Sequence, residues 1–318
     1  MKQLSRAREA VDRYQQRHTW AGFPLAVLRK YSDDQGGYLT AAVTYYAFFS
    51  LFPLLLVFVS VLGFVLRGHA HLDHEIVKSA LGQFPVIGPQ IQTHSLGGSG
   101  IALTLGVVGA VWAGTGVCRA AQNAMDQLWG IPIAERPGFF QARARAFLLL
   151  LVLGLGALAS SGLSGIGTVG THFGVSWKLI AIVLSTLLNF LVFWLAFRTL
   201  TTAQQTWRSL RGGALSAAIA YEGLQLVGGL YVNHVLKTAS NTYGTFALVI
   251  GLLSWIYLAT HVTLLAAEGN VVANKQLWPR TLGGGADEPP TRGDEEALRQ
   301  RARAEEQRPD EAITVTFD

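Results

Sequence analysis

Residues 69–74 read HAHLDH, three imidazoles and a carboxylate within six positions. Imidazole nitrogens and carboxylates are donors that hold zinc, and bound zinc activates water for hydrolysis. His69, His71 and His74 are therefore the first candidate ligands. A second candidate is Glu222 in AIAYEGLQL, a lone carboxylate in the middle of an uncharged stretch. Inside a bilayer such a group costs about 2.5–3.5 kcal/mol unless it is neutral, paired or hydrated. A third is the run TYYAFFSLFP, where Pro53 cannot donate to the Phe49 carbonyl and Tyr45, Tyr46 and Ser50 stand nearby. Asn189, His261 and Glu268 are the remaining polar groups in or at the end of apolar stretches.

The elements that carry these residues decide what they can do. Residues 39–66 hold 28 positions without a charge. Six such stretches recur, Tyr38–Leu66, Ile101–Cys118, Phe147–Val169, Leu179–Phe197, Gly212–Val232 and Tyr243–Ala267. Each except the first, which is longer, is close to the ~20 residues with which a helix crosses the hydrocarbon core. Helix is required there because backbone groups in lipid must pair within their own segment. Only 14% of the 318 residues are charged, against about 25% in soluble domains. Of the 25 Lys and Arg residues, 21 fall in the termini and the loops after the second and fourth stretches, and four fall in the other loops. Basic residues collect on the cytoplasmic side. The expected architecture is an all-α, polytopic bundle of six transmembrane helices with both termini cytoplasmic. Residues 1–37 form an amphipathic cytoplasmic segment, 38–278 the membrane domain, and 279–318 a cytoplasmic tail. That tail holds ten of the twenty acidic residues and almost no aromatics, a composition that reads as disordered with at most one transient helix.

On this frame HAHLDH falls in the external loop 67–99. Its order resembles the zinc motif of metallo-β-lactamase-fold hydrolases, but such a site needs a β-sandwich and further distant ligands. The loop offers about 33 residues and one more nearby histidine, His94. A solvated helix with Leu72, Ile76 and Leu81 on one face accounts for the stretch, with a weak surface zinc site as the alternative. Cys118 is the only cysteine, so no intrachain disulfide and no cysteine-based zinc site can form. No phosphate-binding glycine loop, nucleophile elbow or HExxH helix is present. No enzyme activity, cofactor or nucleic-acid partner is expected.

Glu222 has two readings. It is a proton-linked or substrate-binding carboxylate, or it is helix glue hydrogen-bonded to a neighbour such as Asn189. His261 lies about 9 Å cytoplasmic of the middle of its stretch and meets Glu222 only if helices tilt or shift. The first stretch would be about 42 Å long, against a core of ~30 Å. A break near Ser50–Pro53, opening a polar cavity, or a tilted and kinked helix would absorb the excess. Glu268 and Asn270 fall at the inner end of the last stretch, where a polar residue costs little. Small residues recur every four positions at Gly106, Ala110 and Gly114, at Gly156, Ser160 and Ser164, and at Ser216 and Ala220, which favours close helix approach.

The segments LTAAVTYYAFFSLFPLLL, GVVGAVWAGTGVCRAAQNAMDQLWGI, AIAYEGLQLVGGLYV and TYGTFALVIGLLSWIYLATHVTLLAAEGNVV together resemble the YihY/virulence factor BrkB family. The resemblance covers residues 39–272. It implies a six-span bacterial inner-membrane protein with both ends inside, and it directs interest to Tyr45, Ser50, Pro53, Glu222, Tyr243, Gly244, Trp255 and Glu268. Asp126 stands where the family often has Asn. A ribonuclease label has attached to this family, and nothing in the chain supports one. The functional expectation is a transporter-like protein handling a lipid or lipid-linked envelope precursor, with membrane lipids as partners. The alternatives are a non-transporting scaffold for envelope assembly, or a zinc hydrolase using the loop histidines.

The charge asymmetry makes a direct prediction. Thiols introduced at His74 or Asn233 should react with an impermeant reagent added outside, and thiols at Arg136 or Arg208 should not. The opposite labelling pattern would overturn the topology.

Overall fold

The structure, a computed structural model, describes residues 10, 12–65, 100–149, 175–231, 245–281 and 290–317. Every regular element among the described residues is helical. The helices are α1 (Thr19–Asp33), α2 (Gly36–Val65), α3 (Gly100–Leu128), α4 (Val175–Leu200), α5 (Arg211–Tyr231), α6 (Thr245–Lys275) and α7 (Arg292–Ala304). Residues 12–17 and 139–149 are also helical. Within α3, α4 and α6, the segments Thr104–Leu128, Val183–Leu200 and Val249–Lys275 are long and apolar enough to cross a membrane. The HAHLDH stretch, the expected third span after residue 149 and the pair Tyr243–Gly244 lie outside the described residues.

The longest seam joins α2 to α3, and α6 is the hub, packing on α5, α2, α1 and α3. Glycines bring α2 and α3 together. A Cβ on Gly109 would stand 3.1 Å from the Pro53 ring, and one on Gly116 would stand 3.1 Å from the Tyr46 ring. Of the two readings of the Ser50–Pro53 region, the break is absent, because α2 runs unbroken from Gly36 to Val65 with Pro53 inside it. Pro53 removes only its own donor, and Ser50 spends its hydroxyl on the Ala47 carbonyl at 2.8 Å. The proline ring is used as a packing surface for α3.

The turns are set by backbone chemistry. Between α1 and α2, Gln35 takes a left-handed conformation (φ 56), and a side chain on Gly36 would collide with the Tyr31 ring. The α3 helix runs ten residues past Cys118, the expected end of its span, and closes with a Schellman motif. There the Ile131 amide bonds the Asp126 carbonyl at 2.8 Å and the Gly130 amide bonds that of Gln127 at 3.0 Å, with Gly130 at φ 63.

Segments rich in basic residues gather in one layer at one end of the bundle. The α1 helix packs on α6, Arg145 reaches Thr202 at 3.4 Å, and the Ala134 amide bonds the Glu306 carbonyl at 3.1 Å. In the tail, the one helix its composition allowed is formed at Arg292–Ala304 and is packed by one face. Thr291 and Asp294 form a capping box that starts α7, whose inner face buries Gly293, Asp294, Ala297, Gln300 and Ala304. Composition averages over the tail miss this face. Arg280 fastens the start of α7 to α1, donating to Asp294 at 2.7 Å and to Asp33 at 2.6 Å.

Burial alone would raise the Asp294 carboxyl. Hydrogen bonds from Thr291, from the Thr281 amide and from Arg280 outweigh it and hold the group below the ordinary carboxylate value. A depressed carboxylate stabilises the fold fully above its unfolded value, near 3.9, and that stabilisation is lost as pH falls through the folded value. Asp294→Ala at pH 7 should therefore raise amide exchange across 292–304 by about tenfold or more, as loss of a cap worth ~1 kcal/mol plus an ion pair implies. Unchanged protection would show that this cap does not hold the tail.

Candidate functional site

The structure separates the expected polar residues into three places. The first is the seam of α4 and α5. Glu222 is half-buried there, and its Oε1 accepts from Asn189 Nδ2 at 2.8 Å and from Ser185 Oγ at 2.9 Å. Both donors come from α4, four residues apart, so they share one face of that helix. The other carboxylate oxygen takes no hydrogen bond from the described residues. Tyr221 and Gln225 extend the polar band on α5, with a 3.2 Å bond from Gln225 Nε2 to the Tyr221 hydroxyl. Asn189 meets Glu222, as the spacing allowed. Ser185 was missed, and its signal was legible as one helical turn before Asn189.

The second place is a groove of about 510 Å³ between α2 and α6. Ala41, Thr44, Tyr45, Leu253, Ser254, Tyr257 and Leu258 line it, its wall is mostly apolar, and the Thr44 hydroxyl donates to the Thr40 carbonyl at 2.7 Å. Tyr257 stacks on His261, with ring centroids 6.0 Å apart. His261 does not pair with Glu222. Its Nδ1 lies 2.8 Å from the Tyr31 hydroxyl, which also meets Thr40 Oγ1 at 2.6 Å. A hydroxyl from α1 was the nearer partner, because α1 folds back along α6. Tyr46 and Pro53 face α3, and Ser50 bonds within its own helix, so none of the three joins Glu222.

The third place is the inner end of α6, where Glu268 is fully buried. The low cost expected of an interfacial position does not apply, because α1 covers it. Lys30 of α1 stands 3.9 Å from Glu268 Oε2, pairs with Asp34, and donates to the Leu128 carbonyl at 3.1 Å. Neither Glu268 oxygen has a hydrogen-bond donor within the described residues. Two residues on, Asn270 turns the other way and caps α5. Its Oδ1 accepts from the Gly213 amide at 2.7 Å and its Nδ2 donates to the Leu210 carbonyl at 3.3 Å. Gly213 is obligatory there, since a Cβ would fall 2.3 Å from Asn270 Nδ2 and 2.4 Å from the Ala266 carbonyl. Asp126 plays a similar part at the end of α4, accepting from the Thr202 amide at 2.8 Å and its hydroxyl at 3.0 Å. Among the described residues no group of three His, Cys, Asp or Glu side chains could hold a metal.

The model of the family described as virulence factor BrkB matches residues 27–289. The chain belongs to the virulence factor BrkB family. That match takes in the second half of α1 and all of α2 to α6, and with them all three polar places. The BrkB-family chain is similar to the inner membrane protein YhjD of Escherichia coli (strain K12), 24% identical over 81% of this chain and 83% of that one. It is also similar to a UPF0761 membrane protein of Psychrobacter sp. (strain PRwf-1), at 23% identity over 83% of this chain and 51% of the relative. A third relative is the ribonuclease-like protein YfkH of Bacillus subtilis (strain 168), 22% identical over 80% of this chain and 96% of that one. No solved structure matches. The chain is thus a membrane protein of this family, and its E-x-N pair at 268 and 270 has a physical role, joining α6 to α1 on one side and to α5 on the other.

Lys30→Met would leave Asp34 and Glu268 buried without their cation. Breaking a buried pair costs roughly 3–5 kcal/mol. The variant should unfold at clearly lower temperature in detergent, and adding Asp34→Asn should recover part of the loss. A Lys30→Met protein as stable as the parent would show that the cluster does not hold α1 to α6.

Proposed function

We propose that this BrkB-family protein is a six-span inner-membrane transporter with both termini cytoplasmic, and that it moves an amphipathic substrate, a lipid or a lipid-linked envelope precursor. One observation carries the reading. A carboxylate in an apolar helix has one oxygen fixed by two donors from the adjoining helix and the other oxygen with no donor among the described residues. Glue between helices needs only the first half of that arrangement. A free oxygen on a held carboxylate can accept a proton or bind a polar substrate group. The groove between α2 and α6 supports a cargo with an apolar part, since its wall is mostly apolar. Orientation and span count rest on the distribution of Lys and Arg, supported by the basic layer at one end of the bundle. The reading assigns no catalysis, cofactor or nucleic acid, and "ribonuclease-like" remains a description of YfkH.

Glu222→Gln keeps shape and hydrogen bonding but removes titration. In proteoliposomes carrying fluorescent phospholipid, the parent should expose lipid to an external quencher faster than empty vesicles, and Glu222→Gln should slow this by about tenfold or more. The variant should reach the membrane at the parental level yet fail to complement a deletion strain. Full activity of Glu222→Gln at every pH would remove Glu222 from the mechanism. A parent that moves no lipid, with a fully complementing Gln variant, would favour the scaffold.

A further inference from the structure

A cluster of cations and rings stands where the uncharged part of α3 ends. Arg119 is the first charged residue after an uncharged run from 79 to 118. Trp112, Thr115 and Arg119 recur at helical spacing on one face of α3. The helical residues 139–149 pack along this part of α3, with Ala142 and Ala146 buried and Gln122 donating to the Ala142 carbonyl at 3.3 Å. That packing brings Phe139 and Arg143 onto the same face. The Arg143 guanidinium lies 5.1 Å from the centroid of the Trp112 ring and 5.1 Å from that of Phe139. Its Nη2 donates to Thr115 Oγ1 at 3.3 Å. Arg119 lies 5.4 Å from the same Phe139 ring. The two guanidiniums thus share one aromatic ring, and neither has a carboxylate within 4 Å among the described residues.

The surroundings are apolar and open. Trp112 is 73% exposed and Phe140 85% exposed. Two like charges held near each other without a counter-ion are unfavourable unless an anion joins them. Rings orient the guanidiniums, Arg143 gives one donor to Thr115, and a planar guanidinium fits phosphate oxygens in pairs. The position at the end of an apolar segment is where headgroup phosphates lie, and exposed Trp and Phe side chains suit the boundary with the acyl chains. A soluble anion would make no use of those rings.

We propose that Arg119, Arg143, Trp112 and Phe139 form a binding site for the phosphate headgroup of an anionic phospholipid, whose acyl chain lies over Trp112 and Phe140. The site is separate from Glu222 and from the α2–α6 groove, and it stands whatever the protein transports. The bound lipid bridges α3 and the segment 139–149, neutralising the two arginines.

The test uses the full chain purified in a neutral maltoside detergent. Bound lipid is read by native mass spectrometry on titration with phosphatidylglycerol or phosphatidylcholine. The parent should retain phosphatidylglycerol at least about tenfold more tightly than phosphatidylcholine. The double variant Arg119→Gln with Arg143→Gln should lose that preference. Arg119→Lys with Arg143→Lys should keep part of it, and Arg208→Gln, a control on another loop, should keep all of it. If the double variant does not fold, the single exposed change Arg119→Gln carries the test and should weaken phosphatidylglycerol severalfold. Equal binding of the two lipids by the parent, or undiminished phosphatidylglycerol binding in the glutamine variants, overturns the site. Displacement of phosphatidylglycerol by millimolar inorganic phosphate also overturns the lipid assignment, in favour of a soluble anion.

Discussion

A buried helix end is the constraint on which the rest of this molecule depends. The last carbonyls of an α-helix have no partner inside the helix, and a buried end must find donors elsewhere. At the end of α3 the Leu128 carbonyl accepts from Lys30 at 3.1 Å and from Gln300 at 3.3 Å, and the Trp129 carbonyl accepts from Lys275 at 2.8 Å. The donors come from α1, α7 and α6. Two of them are cations, which the negative end of the helix dipole favours. One requirement of backbone chemistry thereby collects elements that are distant in sequence into one layer.

The same layer explains why polar side chains sit where they do. Within the apolar part, helices satisfy their own backbones, and small residues such as Gly109 and Gly116 let α2 and α3 approach. Specific pairing is concentrated at the ends. Glu268 with Lys30, Asn270 with Gly213, Asp126 with Thr202 and Arg280 with Asp294 each join two segments that packing alone would leave free to slide. Against this background Glu222 is distinctive. It is the carboxylate away from the ends of the described helices, and its second oxygen takes no hydrogen bond from the described residues. The described residues thus combine a tied base with a sparsely polar apolar region.

Much of this was legible along the chain. Hydropathy and charge are properties of single residues, so runs of them mark helices, and they located α2, α4 and α5 to within four residues while ending α3 and α6 eight to ten residues early. The place of Glu222 in its helix and its reach to Asn189 followed from the same run lengths. The capping box of α7 was also written in the sequence, as TRGD from 291 to 294 ahead of an amphipathic stretch, but the acidic composition of the tail obscured it.

What the sequence could not determine was which polar groups meet. Tyr31 and His261 are 230 residues apart, and Lys30 and Leu128 are 98 apart. Their meeting depends on how α1 folds back on α6 and on the rotation of each helix about its axis. A continuous α2 through Pro53 was likewise a tertiary outcome, because the proline ring found a glycine surface on α3 to pack against. Periodicity tells which face of a helix is apolar, and in a membrane nearly every face is. The rotation of each helix is then fixed only by its few polar side chains and glycines finding partners on other helices, which is a property of the packed structure.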